Sequence, residues 1–175
     1  MSILFHPYLS KSTSSGEFTI YKEFENNGRV EIHSEVDKNQ NDYRDLLLIS
    51  FEFAKIGRKV QILPKLHFKD KRYKKIFGGL IGTKYEGKCP DLKVDNDFFE
   101  YEGFISNNPK TNFSNMLRRG LKQSSRIIIK DCNMTHDHIK RTCIQRIKEG
   151  HVINEVWVLK NGTNELVFKS KASKS

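Results

Sequence analysis

The sequence predicts an α+β fold, mixed α/β in its connections: one domain with a central, mostly antiparallel sheet flanked by about three helices. Three observations predict it. Apolar residues alternate two by two in several short segments and recur at helical spacing in longer ones, so both element types share one chain. Asn-Gly and Asp-Asn pairs separate neighbouring short segments, where tight hairpins need residues that accept positive φ. A chain of 175 residues with 37% hydrophobic content, twelve Phe and six Tyr fills a single core of ordinary size.

Taken in order, residues 1–16 end in "KSTSSG" and are expected to be a flexible entry to a single domain spanning 17–168. "EFTIYKEF" and "RVEIHSEV" around "ENNG" predict an N-terminal hairpin over 17–36. The core is expected over 42–162. Asn41 or Asp42 caps a helix through "YRDLLLISFEFAKIG" that stops at Gly57, and "KVQILP" follows as a buried strand. Residues 65–88 form a long basic connection, of a length that usually carries function. "KCPDLKVDNDFFEYEGF" then gives a strand pair, "TNFSNMLRRGLKQ" an amphipathic helix with Phe113, Met116, Leu117, Gly120 and Leu121 inward, and "SRIIIK" a buried strand. Thr135 caps a last helix ended by Gly150, and "INEVWVLK" and "NELVFKS" close the sheet around "NGTN". Residues 169–175 are a basic tail.

Composition narrows the functional classes. The 31 Lys and Arg outnumber the 21 Asp and Glu, a net charge of +10 that suits a polyanionic partner, nucleic acid above all. No apolar run approaches the roughly 20 residues of a membrane span, and the start lacks the apolar region of a signal peptide, so no membrane partner and a cytoplasmic site of action are expected. Cys89, Cys132 and Cys143 are an odd number without a CxxC pair, which supports neither a disulfide framework nor a zinc knuckle.

Against this basic background, Asp91, Asp95, Asp97, Glu100 and Glu102 crowd into one strand pair. With Asp95 and Asn96 as a two-residue turn, Val94 faces Asp97 and Asp91 faces Glu100. Leu92, Val94, Phe99 and Tyr101 then share one face, and Asp91, Lys93, Phe98, Glu100 and Glu102 the other. Directly opposed carboxylates, about 5 Å apart at Cβ, repel unless a cation or a shared proton offsets them. The pair is therefore either a site or the charged rim of an edge hairpin.

Residues 110–148 carry ten Lys or Arg against two acids. Asn115, Arg119, Lys122 and Arg126 follow at helical spacing, a polar stripe that suits a phosphate backbone. Arg118, Lys130 and, in the basic connection, Lys69 complete the expected nucleic-acid contacts. His67 is the histidine best placed for catalysis; His136, His138, Cys89 and Trp157 are expected to serve capping or packing.

In the order "FAKIGRKVQILP", "GKCPDLKVDNDFFEYEGF", "NMLRRGLKQSSRIIIK" and "IQRIKEGHVINEVWVLKNG", the chain resembles the C-terminal tRNA nuclease domains of contact-dependent inhibition toxins, of the barnase, EndoU, colicin and RelE-like class. The motif residues are Pro90, Asp91, Glu100, Glu102, Lys122 and Gln123. Glu102 departs from the resemblance, which places a lysine there; Lys122 or Lys69 is expected to replace it. The same elements are similar to the PD-(D/E)XK nuclease core, ordered α, β, β, β, α, β with metal-binding acids on its central hairpin. That likeness implies Asp91 and Glu100 as ligands of Mg²⁺.

Three functions follow as expectations. The first is a metal-independent ribonuclease acting on tRNA-type substrates through the 2′-OH, with Glu100 or His67 as base and Lys122, Arg119 or Lys130 at the developing charge; it needs no cofactor, and a toxin of this type implies a cognate immunity protein. The second is a Mg²⁺-dependent DNA nuclease using Asp91, Glu100 and Glu102. The third is a non-catalytic nucleic-acid-binding accessory protein of a mobile element.

Overall fold

In this computed structural model the described residues are 17–103 and 109–171, with backbone alone for 109–111. Eight strands form one sheet in chain order: β1 (Phe18–Glu23), β2 (Arg29–His33), β3 (Lys59–Ile62), β4 (Leu92–Val94), β5 (Asp97–Glu102), β6 (Arg126–Lys130), β7 (Glu155–Lys160) and β8 (Thr163–Lys169). Four of the seven neighbouring pairs are antiparallel (β1/β2, β3/β4, β4/β5, β7/β8) and the rest parallel. Each parallel pair needs a crossover. Helices α1 (Tyr43–Lys55), α3 (Pro109–Gly120) and α4 (His136–Lys148) supply the three crossovers, giving the expected α+β domain.

Alternation along the strands divides the core. Val30, Ile32, Val60, Ile62, Leu92, Val94, Phe99 and Tyr101 meet Leu46, Ile49, Phe53 and Ala54 of α1 on one face. On the other, Ile127, Ile129, Val156 and Val158 meet Phe113, Met116 and Leu117 of α3 and Ile139 and Cys143 of α4. The connection 65–88 is more ordered than its charge suggests: it folds into α2 (Tyr73–Phe77) and a 3-10 turn (Gly78–Leu80), packing Tyr73, Ile76, Phe77 and Leu80 over Phe98.

Hairpin chemistry fell where the turn residues place it. Asp95 has φ 53°, and Leu92 pairs Phe99, Lys93 pairs Phe98 and Val94 pairs Asp97. Asn161 and Gly162 turn β7 into β8. Thr135 Oγ1 accepts from His138 N at 3.3 Å and caps α4. Two expectations need correction. Asp42 occupies the N-cap of α1 but makes no side-chain capping bond, because its backbone is already helical (φ −91°, ψ −3°). The stripe along α3 does not reach Arg126: the helix ends at Gly120, and Arg126 begins β6 and pairs with Asp97 at 3.0 Å.

The β4–β5 hairpin lies in the middle of the sheet, between β3 and β6, so its acids do not line an exposed edge. Its second face is also covered, leaving Glu100 and Glu102 each only 8% exposed.

Candidate active site

Because β3, β5 and β6 run in one direction and β4 in the other, their carboxyl ends share one edge of the sheet with the start of β4. Such an edge, where strand direction and crossover side change, is where open sheets bind ligands. Asp91 precedes β4; Glu100 and Glu102 lie in the last three residues of β5; Lys130 ends β6; Lys65 lies three residues beyond β3; Asp42 and Asp45 stand at the start of α1.

The contacts form two adjoining groups. In the first, Lys65 Nζ bridges Asp91 Oδ1 at 2.8 Å and the Cys89 carbonyl at 2.7 Å, while Asp91 Oδ2 accepts from Tyr101 N at 3.0 Å. The register that pairs Leu92 with Phe99 brings Glu100 beside Asp91, and the two carboxyl groups act on each other electrostatically. Glu100 Oε2 is buried and without a partner. In the second group Arg119 of α3 binds Glu102, and Asp45 Oδ2 accepts from Tyr101 Oη at 2.5 Å and Lys130 Nζ at 2.9 Å. Close packing holds the groups together: a Cβ on Gly120 would stand 2.9 Å from Ile127 and 3.3 Å from Glu102, so a larger residue there would push α3 off β5.

The electrostatics follow from crowding. Burial raises Glu100 well above an ordinary carboxyl group, and Asp91 adds to the shift while Lys65 opposes it. Burial likewise raises Glu102, with Arg119 opposing, and raises Asp42, with Asp91 and Asp45 adding. Burial pulls Lys65 down, but Asp91 and Glu100 outweigh it and hold the ammonium protonated. Five acids (Asp42, Asp45, Asp91, Glu100, Glu102) meet three cations (Lys65, Arg119, Lys130), an excess of two negative charges if all ionise, inside a protein of net charge +10.

This donor set fits a hard divalent cation. Among the described residues no three His, Cys, Asp or Glu side chains are grouped as a ready metal cage. Mg²⁺ needs none: it is commonly held by one or two carboxylates, with water and substrate oxygens completing its shell. Asp91 and the unpartnered Glu100 Oε2 are such a pair.

Of the other residues singled out by sequence, Arg119 and Lys130 join this end of the sheet but are engaged by Glu102 and Asp45. His67 is exposed and accepts from Lys69 N at 3.1 Å within its own turn; the carboxylate it acts on is Asp70. Lys69, Arg118 and Lys122 are exposed, and Gln123 is half-buried in the turn after α3. Among the described residues Arg118 reaches Asn115, at 3.4 Å. Cys89 donates to the Leu66 carbonyl and burial raises its thiol, which suits packing. Lys65, Asp42 and Asp45 were not foreseen; the contrast of a long basic connection with an acid hairpin was the available signal for Lys65. No helix among the described residues is long and apolar enough to cross a membrane. Against these observations, no family model, no curated protein and no solved structure matches the chain.

Proposed function

We propose that the protein is a divalent-metal-dependent nuclease whose reacting centre is Asp91, Glu100 and Lys65. The observation that carries this reading is the cross-strand Asp91–Glu100 pair, its Glu100 buried with an unpartnered oxygen, set beside a half-exposed lysine at the carboxyl edge of the sheet. The order α1, β3, β4, β5, α3, β6, with four contiguous strands and with α2 and the 3-10 turn inserted between β3 and β4, supports it, being the order expected of the PD-(D/E)XK-like core apart from that insertion.

Asp91 and Glu100 would hold Mg²⁺, which supplies a polarised phosphodiester and an activated water when bound. Asp91 is oriented for this by Tyr101 N, which fixes one carboxylate oxygen and leaves the other facing Lys65. Lys65, which stands beside Asp91 with its ammonium half-exposed, would face phosphate oxygens and offset charge that grows as the P–O bond breaks. Lys65 thus takes the part expected of a lysine at position 102, and Glu102 is left to anchor Arg119. The basic exterior supplies sequence-independent attraction for the polyanion.

The raised Glu100 also supports a second reading, metal-independent cleavage of RNA with Glu100 carrying the proton. One assay separates the two: plasmid DNA and tRNA incubated with the protein in EDTA or in Mg²⁺. The metal reading expects cleavage in Mg²⁺ alone, lost on Asp91→Asn or Glu100→Gln. Cleavage of tRNA in EDTA with 2′,3′-cyclic phosphate ends selects the second reading. Binding without cleavage under every condition selects the accessory protein.

A further inference from the structure

At the opposite edge of the sheet, a cavity of about 370 Å³ opens between the 3-10 turn, the β4–β5 turn and the amino end of β6. Its size lies at the low end of small-molecule sites, about 300 to 1,000 Å³. Leu80, Phe98 and Val152 give it apolar walls. Two hydrogen-bond donors in those walls are buried without a partner: Tyr85 Oη and Arg126 Nε. Tyr85 is 9% exposed, and burial pushes its hydroxyl up to about 12, so it stays a donor; Ser125 approaches it without closing a hydrogen bond. Arg126 is fixed through Nη2 by Asp97 at 3.0 Å, which leaves its Nε without a partner. Unpaired buried donors are costly, and a cavity lined by two of them is completed by a ligand that brings acceptors.

We infer that this cavity binds a single nucleotide unit, with the base against Leu80, Phe98 and Val152 and its acceptor atoms on Tyr85 Oη and Arg126 Nε. Asp97 supplies an acceptor for an exocyclic amine, and Lys84, at the rim, a cation for the phosphate. The choice of a nucleotide rests on the nuclease reading and on geometry: Phe98 and Glu100 share one face of β5, two residues or about 7 Å apart. The connection 65–88 serves both places, contributing Lys65 at one edge and Lys84 and Tyr85 at the other. The cavity thus gives the enzyme a means to read one base near the cut.

The test is direct binding, independent of cleavage: calorimetric titration of the intact protein, in EDTA, with the four 5′-ribonucleoside monophosphates and with inorganic phosphate. At least one nucleotide is expected to saturate a single site. Arg126→Gln should weaken it about tenfold and Tyr85→Phe roughly three- to tenfold. Val152→Trp, at a half-exposed position on the mouth, should weaken it without disturbing the core, which guards against loss of fold in the other two. Glu100→Gln should bind as the parent does. Absence of binding by any nucleotide overturns the inference, as does phosphate binding as tightly as the nucleotides. Binding that survives the three cavity variants but fails with Glu100→Gln also overturns it, placing the nucleotide at the acid edge and leaving the nuclease reading intact. Conversely, nucleotide binding by a protein that never cleaves would retain the cavity and remove the nuclease.

Discussion

The two ends of the β4–β5 hairpin carry the same kind of residue and opposite electrostatics. At the turn, Asp95 accepts from Lys59 N at 2.9 Å and pairs with Arg58, and Asp97 pairs with Arg126. Both acids are half-exposed, at 42% of the side chain, so every charge there has a partner and water besides. At the far end Asp91 and Glu100 share Lys65, and Glu100 is buried. Acids that set a turn are compensated where they stand; acids that repel inside a covered sheet are left short of positive charge, and it is this shortfall that the proposed metal site would use. Five carboxylates in one hairpin therefore do two jobs.

The largest effect expected from this contrast is on cleavage. Asp91→Asn or Glu100→Gln should lower the Mg²⁺-dependent rate by about 100-fold or more, because two carboxylates share one ion. Asp95→Asn, of equal charge change in the same hairpin, should leave the rate within about twofold. Equal losses at both ends, read from initial rates on plasmid DNA and tRNA, would erase the distinction.

Next in size is the lysine. Lys65→Met should cost about 10- to 100-fold in kcat, since a preorganised cation at developing charge has that weight. Adding Glu102→Lys to that variant should recover part of the loss if position 102 reaches the same phosphate. Unchanged kcat in Lys65→Met would reduce Lys65 to a counter-ion of Asp91.

Stability should depend on pH through the acids of the far end. Glu100, Glu102 and Asp42 have folded-state pKa values above their unfolded ones, so the folded protein binds more protons than the unfolded chain in that window. Stability without metal is then highest on the acid side and falls as pH rises from the ordinary carboxyl value through the raised ones. Glu100→Gln should flatten the fall and stabilise the neutral-pH protein by about 1 to 3 kcal/mol, measured by urea melts in EDTA. A slope of the opposite sign would contradict the crowding.

The smallest effects belong to the turn. Asp97→Asn should cost about 0.2 to 1 kcal/mol, as partly exposed pairs do, and Asp95→Ala about 1 kcal/mol for a lost backbone bond at a left-handed residue. Both are readable in the same melts.

Local chemistry made the hairpin legible: an Asp-Asn turn fixes register, and register fixes which acids face each other, so Leu92 and Phe99 met as expected. Thr135 and the Asn161–Gly162 turn were legible for the same reason. What depended on long-range placement was not. Lys65 reaches Asp91 only because β3 pairs with β4, and Tyr101, correctly placed in the core by alternation, sends its hydroxyl to Asp45 of a helix far away in sequence. Helical spacing alone carried the basic stripe past Gly120, where the chain had already left the helix for β6.

The central claim is that the Asp91–Glu100 edge holds a divalent cation. Titration of the purified protein with Mn²⁺ as a stand-in for Mg²⁺, followed by water-proton relaxation, tests it without requiring cleavage. A saturable site is expected that competes with Mg²⁺, is lost in Asp91→Asn and in Glu100→Gln, and is retained in Asp97→Asn. Absence of a saturable site, or one indifferent to Asp91 and Glu100, would contradict it.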